Sequence, residues 1–431
     1  MPQRTGSEAS TLVKRWGGDL AQTGWWHSFE LPDGRKIDGA NDLPGLKRRL
    51  ALFPIPDDLS GKRVLDIGSW DGWFSFELER RGAEVVSVDN VESANFLYLH
   101  RELHSRIDYR ILDVYELTPE KLGRFDIVLF LGVLYHLKHP LLALERICAL
   151  TTDLAAVGSF TAPDSGPPVM EFYEIDELGG QFDNWCAPNP SCLVAMCRTA
   201  GFARAELLNV NEFGSSVACF RRFGPPVATN DPPPILKSCV NMLRFGPNFS
   251  SEADDYASCW FQSNARTLDR ETFEARVGPF DSHAVSLVRD GAAWQANFKL
   301  PPGLDPGWHE VRVRTATSQW SDPLRIAVDV PLKVEALEIT GACDGKTWKP
   351  FEVTSSILSL WVSGVPENGG RDNIRVTLGD QRSKLDYISP WQPGTPTQLN
   401  VLMPPEMGKG EYPVTVEIAR MVSQPVSIQV R

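Results

Sequence analysis

From residue 61 the chain alternates β-branched apolar runs with amphipathic stretches. The runs predict strands over 63–68, 84–89, 108–112, 125–131 and 154–160, and the stretches between them predict helices over 73–81, 91–105, 118–122 and 140–150. Phe125–Leu131 is apolar almost throughout, as a central strand buried on both faces requires. Pro140 suits the first turn of the helix that follows. A helix over 189–200 stopped by Gly201, then strands over 203–210 and 215–222, complete the series. Strands alternating with helices in this way predict an α/β domain over 61–224, a parallel sheet with helices on both faces.

The pattern changes on either side of this block. Residues 1–60 form a preamble. Gly24–Leu31 reads as a strand entering a turn at Pro32-Asp33-Gly34, and 42–53 has helical spacing with Asp42 as N-cap. Trp25, Trp26 and His27 read as a hydrophobic flap over one sheet edge in preference to ligand contacts. Residues 161–190, rich in Pro, Gly, acids and aromatics, are an insertion of lid-like length. Residues 225–234 are a Pro-rich linker, and beyond them only β-type alternation remains. That region repeats itself. Asn297–Pro302, Gly307, Val311, Val313, Ser321, Pro323, Ile326 and Val328 recur about 103 residues later as Asn400–Pro405, Gly410, Val414, Val416, Ser423, Pro425, Ile428 and Val430. Two tandem β-sandwiches over 235–331 and 332–431 follow.

Composition narrows the function classes. The 431 residues exceed what one hydrophobic core normally serves. The net charge is −12, shared as −8 over 1–225 and −4 over 226–431. Neither half offers the broad basic field of nonspecific nucleic-acid binding, although Lys47-Arg48-Arg49 forms a local basic patch. No run reaches the ~18 apolar residues of a membrane span, and the first 20 residues lack a signal-peptide core. Eight scattered cysteines without a CxxC argue against zinc and against a disulfide framework, so the expected location is a reducing cytoplasm.

The candidate chemistry lies at Val64-Leu65-Asp66-Ile67-Gly68-Ser69-Trp70-Asp71-Gly72, a strand, a glycine turn and a helix start. Ligands of open parallel sheets bind beyond the carboxyl ends of the strands. Those ends carry Asp66/Gly68, Asp89/Asn90, Asp113/Val114, Leu131/Gly132 and Thr161. A dinucleotide site wants G-x-G-x-x-G for a pyrophosphate. This chain has G-x-x-x-G with acids at 66 and 71, which repel a pyrophosphate and suit the sulfonium and ammonium of S-adenosylmethionine.

Val64–Gly72 resembles the first motif of class I S-adenosylmethionine-dependent methyltransferases, Asp89 their ribose-binding acid, Leu112-Asp113-Val114 the adenine-flanking segment and Asp126–Leu137 the fourth-strand motif. The implied fold is Rossmann-like. Gly68–Glu77, Leu131–His136 and Trp26–Leu31 further resemble a branch related to the tRNA wobble-uridine methyl- and carboxymethyltransferases. One departure matters. The lysine that holds the extra carboxylate of the carboxymethyl donor aligns with Trp26, so ordinary S-adenosylmethionine is expected, although Tyr135 matches a tyrosine that helps bind that carboxylate.

The resemblance implies roles. Gly68, Ser69, Asp71 and Gly72 approach the methionine portion, and Asp66 orients its ammonium. Asp89, with Asn90, takes the ribose hydroxyls. Asp113 accepts from the adenine amino group and the Val114 amide donates to the ring, with Gly132 at the end of the fourth strand as a further cofactor-binding residue. His136 is the candidate base and Tyr135 its neighbour at the acceptor, with Glu171, Tyr173 and Asp183 as substrate-side candidates. His139 is read as structural. The expected activity is O-methylation of a hydroxyl on a small molecule or glycan. The alternatives are a tRNA wobble-uridine methyltransferase, or a binding protein whose methyltransferase-like domain no longer turns over. The two sandwiches resemble IPT/TIG-type immunoglobulin-like domains, which bind glycan or protein or act as spacers. Trp294, Trp308, Trp320, Trp348 and Trp391 are read as core residues in preference to sugar platforms.

Overall fold

A computed structural model describes residues 24–164, 166–211, 214–226, 231–252, 254–265 and 268–431. The chain forms two compact units. The first reaches Pro225 and takes in Pro279–Ser282 and Pro301–Gly303; the second holds the remainder. The expected linker falls partly outside the described residues.

The first unit opens with a ribbon of β1 (Phe29–Glu30) and β2 (Lys36–Ile37), then α1 (Leu43–Ala51). Asp42 caps α1 by accepting from the Gly45 amide at 2.7 Å, with Pro44 in the first turn. The α/β series follows as β3 (Arg63–Ile67), α2 (Trp73–Arg80), β4 (Glu84–Asp89), α3 (Ala94–Glu102), β5 (Asp108–Ile111), α4 (Pro119–Leu122), β6 (Phe125–Leu131), α5 (Pro140–Leu150) and β7 (Thr151–Ser159). A small hairpin of β8 (Met170–Phe172) and β9 (Cys186–Pro188) lies in the insertion. Then α6 (Pro190–Ala200), β10 (Arg204–Asn211) and β11 (Gly214–Phe220) close the unit.

The sheet order is β10-β11-β7-β6-β3-β4-β5, with β3 to β7 parallel and β10 and β11 antiparallel. Strand order reverses between β3 and β6, which opens the ligand crevice at their carboxyl ends. The helix expected over 91–105 is shorter because Ser93 caps it at one end and His104 turns left-handed (φ 49°) at the other.

Both sheet faces are covered. One buries Leu65, Ile67, Val128 and Phe130 under α5 and α6 residues such as Leu144, Ile147 and Leu193. The other buries Val64, Ile127 and Leu129 with Phe29, Leu46, Leu50 and Phe53 of the preamble. Burying a leucine or phenylalanine stabilises the fold by about 1.5–3 kcal/mol. The preamble is therefore a layer of the core as well as a cover.

The second unit is built of strands. The first half holds β12 (Ile235–Asn241), β13 (Asn248–Phe249), β14 (Tyr256–Gln262), β15 (Phe273–Val277), β16 (Phe280–Asp290), β17 (Ala293–Lys299), β18 (Gly307–Thr315) and β19 (Leu324–Val328). In the second half come β20 (Glu338–Asp344), β21 (Glu352–Val353), β22 (Ile357–Ser363), β23 (Ile374–Leu378), β24 (Gln381–Ser383), β25 (Leu385–Ile388), β26 (Thr397–Leu402), β27 (Gly410–Ile418), β28 (Met421–Val422) and β29 (Val426–Val430). The sequence repeat maps strand onto strand: β17, β18 and β19 correspond to β26, β27 and β29. Its serines act alike, since Ser321 Oγ accepts the Val313 amide at 3.1 Å and Ser423 Oγ the Val416 amide at 3.0 Å. The reading of all five tryptophans as core fails for Trp348, 60% exposed, and Trp391, 38% exposed.

Candidate cofactor and acceptor site

At the end of β3 the chain turns left-handed three times, at Gly68 (φ 73°), Trp70 (φ 50°) and Gly72 (φ 85°). The glycines answer to packing as well as to conformation. A Cβ on Gly68 would meet Val133 Cγ2 at 2.3 Å, and one on Gly72 would meet the Phe96 ring at 2.5 Å. Protein side chains occupy the space that a Cβ at either position would take. Trp70 takes a conformation costly for a bulky residue and leaves its ring 43% exposed. Its amide donates to Asp89 Oδ2 at 2.9 Å, tying the turn to the tip of β4.

Three carboxylates surround this turn, each buried and each pushed upward in pKa chiefly by that burial. Asp66 rises to about 6; the Asp89 charge adds to the rise, while the Ser75 hydroxyl, donating at 2.6 Å, and Arg49 oppose it. Asp89 also accepts the Val91 amide at 3.4 Å. Asp71 is fully buried and already engaged, accepting from the Trp26 amide, the His27 amide at 3.0 Å and Asn95 Nδ2 at 3.0 Å. These bonds tether the preamble to the turn. Ser69 Oγ is buried without a hydrogen-bond partner among the described residues. Asp113 is exposed and caps the short turn Val114–Glu116 through the Tyr115 amide at 2.9 Å, while Val114 is buried and Asn90 exposed.

Beyond β6 and β7 lies a cavity of about 730 Å³, walled among others by Trp26, Arg49, Gly132, Tyr135, Ser159 and Asn184. Asp66, Gly68 and Asp89 are not among its walls. Gly132 (φ 86°) donates to the Gly158 carbonyl at 2.8 Å and leads into the short turn Leu134–His136. Tyr135 faces the cavity, its hydroxyl pushed up to about 12 by burial and partly held back by Arg49. His136 instead turns to the insertion, with Nδ1 3.4 Å from Asp183 Oδ2 and 3.3 Å from the Asp183 carbonyl. Burial lowers its pKa and the Asp183 charge opposes that. Of the two candidates for the acceptor, Tyr135 lines the cavity and His136 does not. Glu171 and Tyr173, also expected near the acceptor, hydrogen-bond to one another in the insertion.

Residues 41–183 match a family described as a methyltransferase domain. That match lies within the first unit and is to a methyltransferase domain. A tRNA U34 carboxymethyltransferase of Pseudomonas aeruginosa (strain LESB58) is 32% identical over 164 residues, 36% of this chain and 49% of that protein. A ubiquinone biosynthesis O-methyltransferase of Acinetobacter baylyi is 38% identical over 85 residues, 19% of this chain and 36% of that protein. The chain thus spans about half, or less, of the curated relatives it matches. Among solved structures, the N-terminal domain of EvdMO1 with SAH and D-fucose aligns over 50% of this chain and 96% of that one, at 20% identity and a TM-score of 0.35.

The methyltransferase domain contains one group that sequence reasoning passed over. Arg49, in the last turn of α1, lies over the Phe74 ring at 5.8 Å and makes no hydrogen bond or ion pair among the described residues. Burial lowers its pKa, and Tyr135 and Asp66 oppose that. Sequence showed it only as part of a basic patch; nothing in the spacing aims one of three cations at the crevice. Among the described residues no group of His, Cys, Asp or Glu could hold a metal, and no helix is long and apolar enough to cross a membrane.

Proposed function

We propose that the methyltransferase domain binds S-adenosylmethionine across the tips of β3 and β4 and transfers its methyl group to a hydroxyl in the adjoining cavity. The observation that carries this reading is that Arg49 lines the cavity without a hydrogen-bond or ion-pair partner among the described residues, within charge range of the buried Asp66. An amino acid zwitterion would complement the pair, its ammonium drawn to Asp66 and its carboxylate to Arg49. Asp89 then stands where ribose hydroxyls would be read, and Ser69 Oγ offers a buried hydroxyl that lacks a partner. The sulfonium supplies the electrophilic methyl, and much of the rate comes from aligning it with the acceptor oxygen. Tyr135, with its raised pKa, stays protonated and donates a hydrogen bond that orients the acceptor.

Isothermal titration with S-adenosylmethionine and its demethylated product tests this first. Micromolar binding is expected, lost in Asp89→Ala and weakened at least tenfold in Arg49→Met. No binding by the wild-type chain would end the proposal.

A second reading draws on the carboxymethyltransferase relative, in which a tRNA uridine would be the acceptor. The −8 charge of residues 1–225 weighs against it. A salt titration of tRNA binding discriminates, because tight and salt-sensitive binding would favour the nucleic acid.

A further inference from the structure

The two halves of the second unit share more than a core. On β14, Ser258 and Trp260 lie opposite Asn297 and Gln295 of β17. In the same register on β22, Ser359 and Trp361 lie opposite Asn400 and Gln398 of β26. Strand alternation puts these four side chains on the face away from the buried Cys259 and Phe298 in one copy and Leu360 and Val401 in the other. Both amide sets are held in place. Gln295 Nε2 donates to Ser258 Oγ at 2.8 Å, and Gln398 Nε2 and Ser359 Oγ donate to Asn400 Oδ1 at 3.0 and 2.8 Å.

A second feature is duplicated as well. Phe245 and Trp348 occupy equivalent turns after β12 and β20, left-handed at φ 55° and 60°, and 61% and 60% exposed. Each amide closes the turn on the carbonyl of Asn241 or Asp344. Each turn is seated by that residue's side chain, which accepts two further amides. In the second copy the Trp348 ring lies 6.3 Å from that of Trp361.

Sandwich stability does not call for this. A glycine or asparagine would take the left-handed position without the strain, which is about 1–3 kcal/mol for a bulky residue, and a ring left mostly exposed gains little from burial. Persistence in two copies points to a ligand. The tryptophan, glutamine, asparagine and serine carry no ionisable group. They offer an aromatic face beside fixed neutral donors and acceptors, the complement of a sugar ring with its C–H face and its hydroxyls. We propose that each sandwich binds a neutral carbohydrate chain through Trp260, Gln295 and Asn297 or Trp361, Gln398 and Asn400, with Phe245 and Trp348 as stacking platforms. Two sites on one chain raise affinity for a polymer through avidity. This is independent of the methyl-transfer reading.

Affinity electrophoresis of the full chain through gels containing xyloglucan, galactomannan, mixed-linkage β-glucan or soluble starch tests the proposal, with polygalacturonate as the charged control. Retardation by at least one neutral polymer is expected. Trp260→Ala or Trp361→Ala alone should weaken it about 100-fold through lost avidity, and the pair should abolish it. Phe245→Ala with Trp348→Ala removes rings that are 61% and 60% exposed and should weaken it with only a small change in melting temperature, so that loss of binding is read apart from loss of fold. Mobility unaffected by every neutral polymer, retardation by polygalacturonate alone, or equal retardation of the exposed-ring variant and wild type would each overturn the proposal.

Discussion

The carboxylate of Asp71, inside the glycine turn, accepts the backbone amide of His27 at 3.0 Å across 44 residues of sequence. The same oxygen accepts the Trp26 amide, and the other holds Asn95. One buried acid thereby joins the preamble, the turn and α3. Asp71→Ala leaves two amides without that acceptor and should cost about 2–4 kcal/mol. Denaturant unfolding measures the loss, and proteolysis should nick residues 24–42 earlier than in wild type. An unchanged nicking pattern would dismiss the tether.

His27 is buried against Phe29 and Phe74, and burial, helped by the Arg49 charge, pushes its pKa down to about 3. A base with a depressed folded pKa contributes stability above its unfolded value near 6.5 that is lost as pH falls toward 3. His27→Phe should therefore move acid unfolding to lower pH, followed by circular dichroism. An unmoved midpoint would show that acid unfolding is driven elsewhere.

Asp66 has the opposite sign. With its folded pKa raised to about 6, its contribution is full below the unfolded value near 4 and is lost as pH rises through 6. Asp66→Asn should stabilise the unliganded protein at pH 8 by up to about 3 kcal/mol and leave it unchanged near pH 4. The same variant should lose affinity for S-adenosylmethionine. In wild type that affinity should fall below pH 6, with proton release seen as a buffer-dependent binding heat.

Gly68→Ala should cost about 2–4 kcal/mol, because the new methyl meets Val133 Cγ2 and the left-handed backbone resists it. Adding Val133→Ala should recover the packing share and leave about 1 kcal/mol for the backbone. Full recovery would remove the conformational part of the account, and no recovery the packing part.

His136 and Asp183 couple β6 to the insertion. Asp183→Asn removes the charge that raises the His136 pKa, so an acidic limb set by His136 should move to lower pH. Labelled-methyl transfer into a metabolite extract is the measurement. Unaltered turnover in His136→Ala would confine this histidine to holding the insertion.

Much of the fold was legible because its signals are local. Alternation of apolar positions located the parallel strands to within a few residues, and Asp42 with Pro44 announced α1. The acids at 66 and 89 and the glycines at 68 and 72 stood out as a turn between strand and helix. The offset of about 103 residues marked the strands that recur within the second unit. Less legible was the division of labour within the site. Asp66 and Asp71 look alike in sequence, yet one accepts from Ser75 while the other is spent on the preamble. Tyr135 and His136 are neighbours, and only the short turn after Gly132 decides that the first lines the cavity.

The sequence by itself determined the α/β series, the glycine turn with its acids, and the repeat, because each is a matter of period and spacing along the chain. Tertiary structure alone decided that Arg49 points into the crevice, that Asp71 is a tether, and that Phe245 and Trp348 stand exposed on equivalent turns. Those outcomes depend on which distant groups are brought within hydrogen-bond or charge range, and on what space the neighbours leave, neither of which is written in local periodicity.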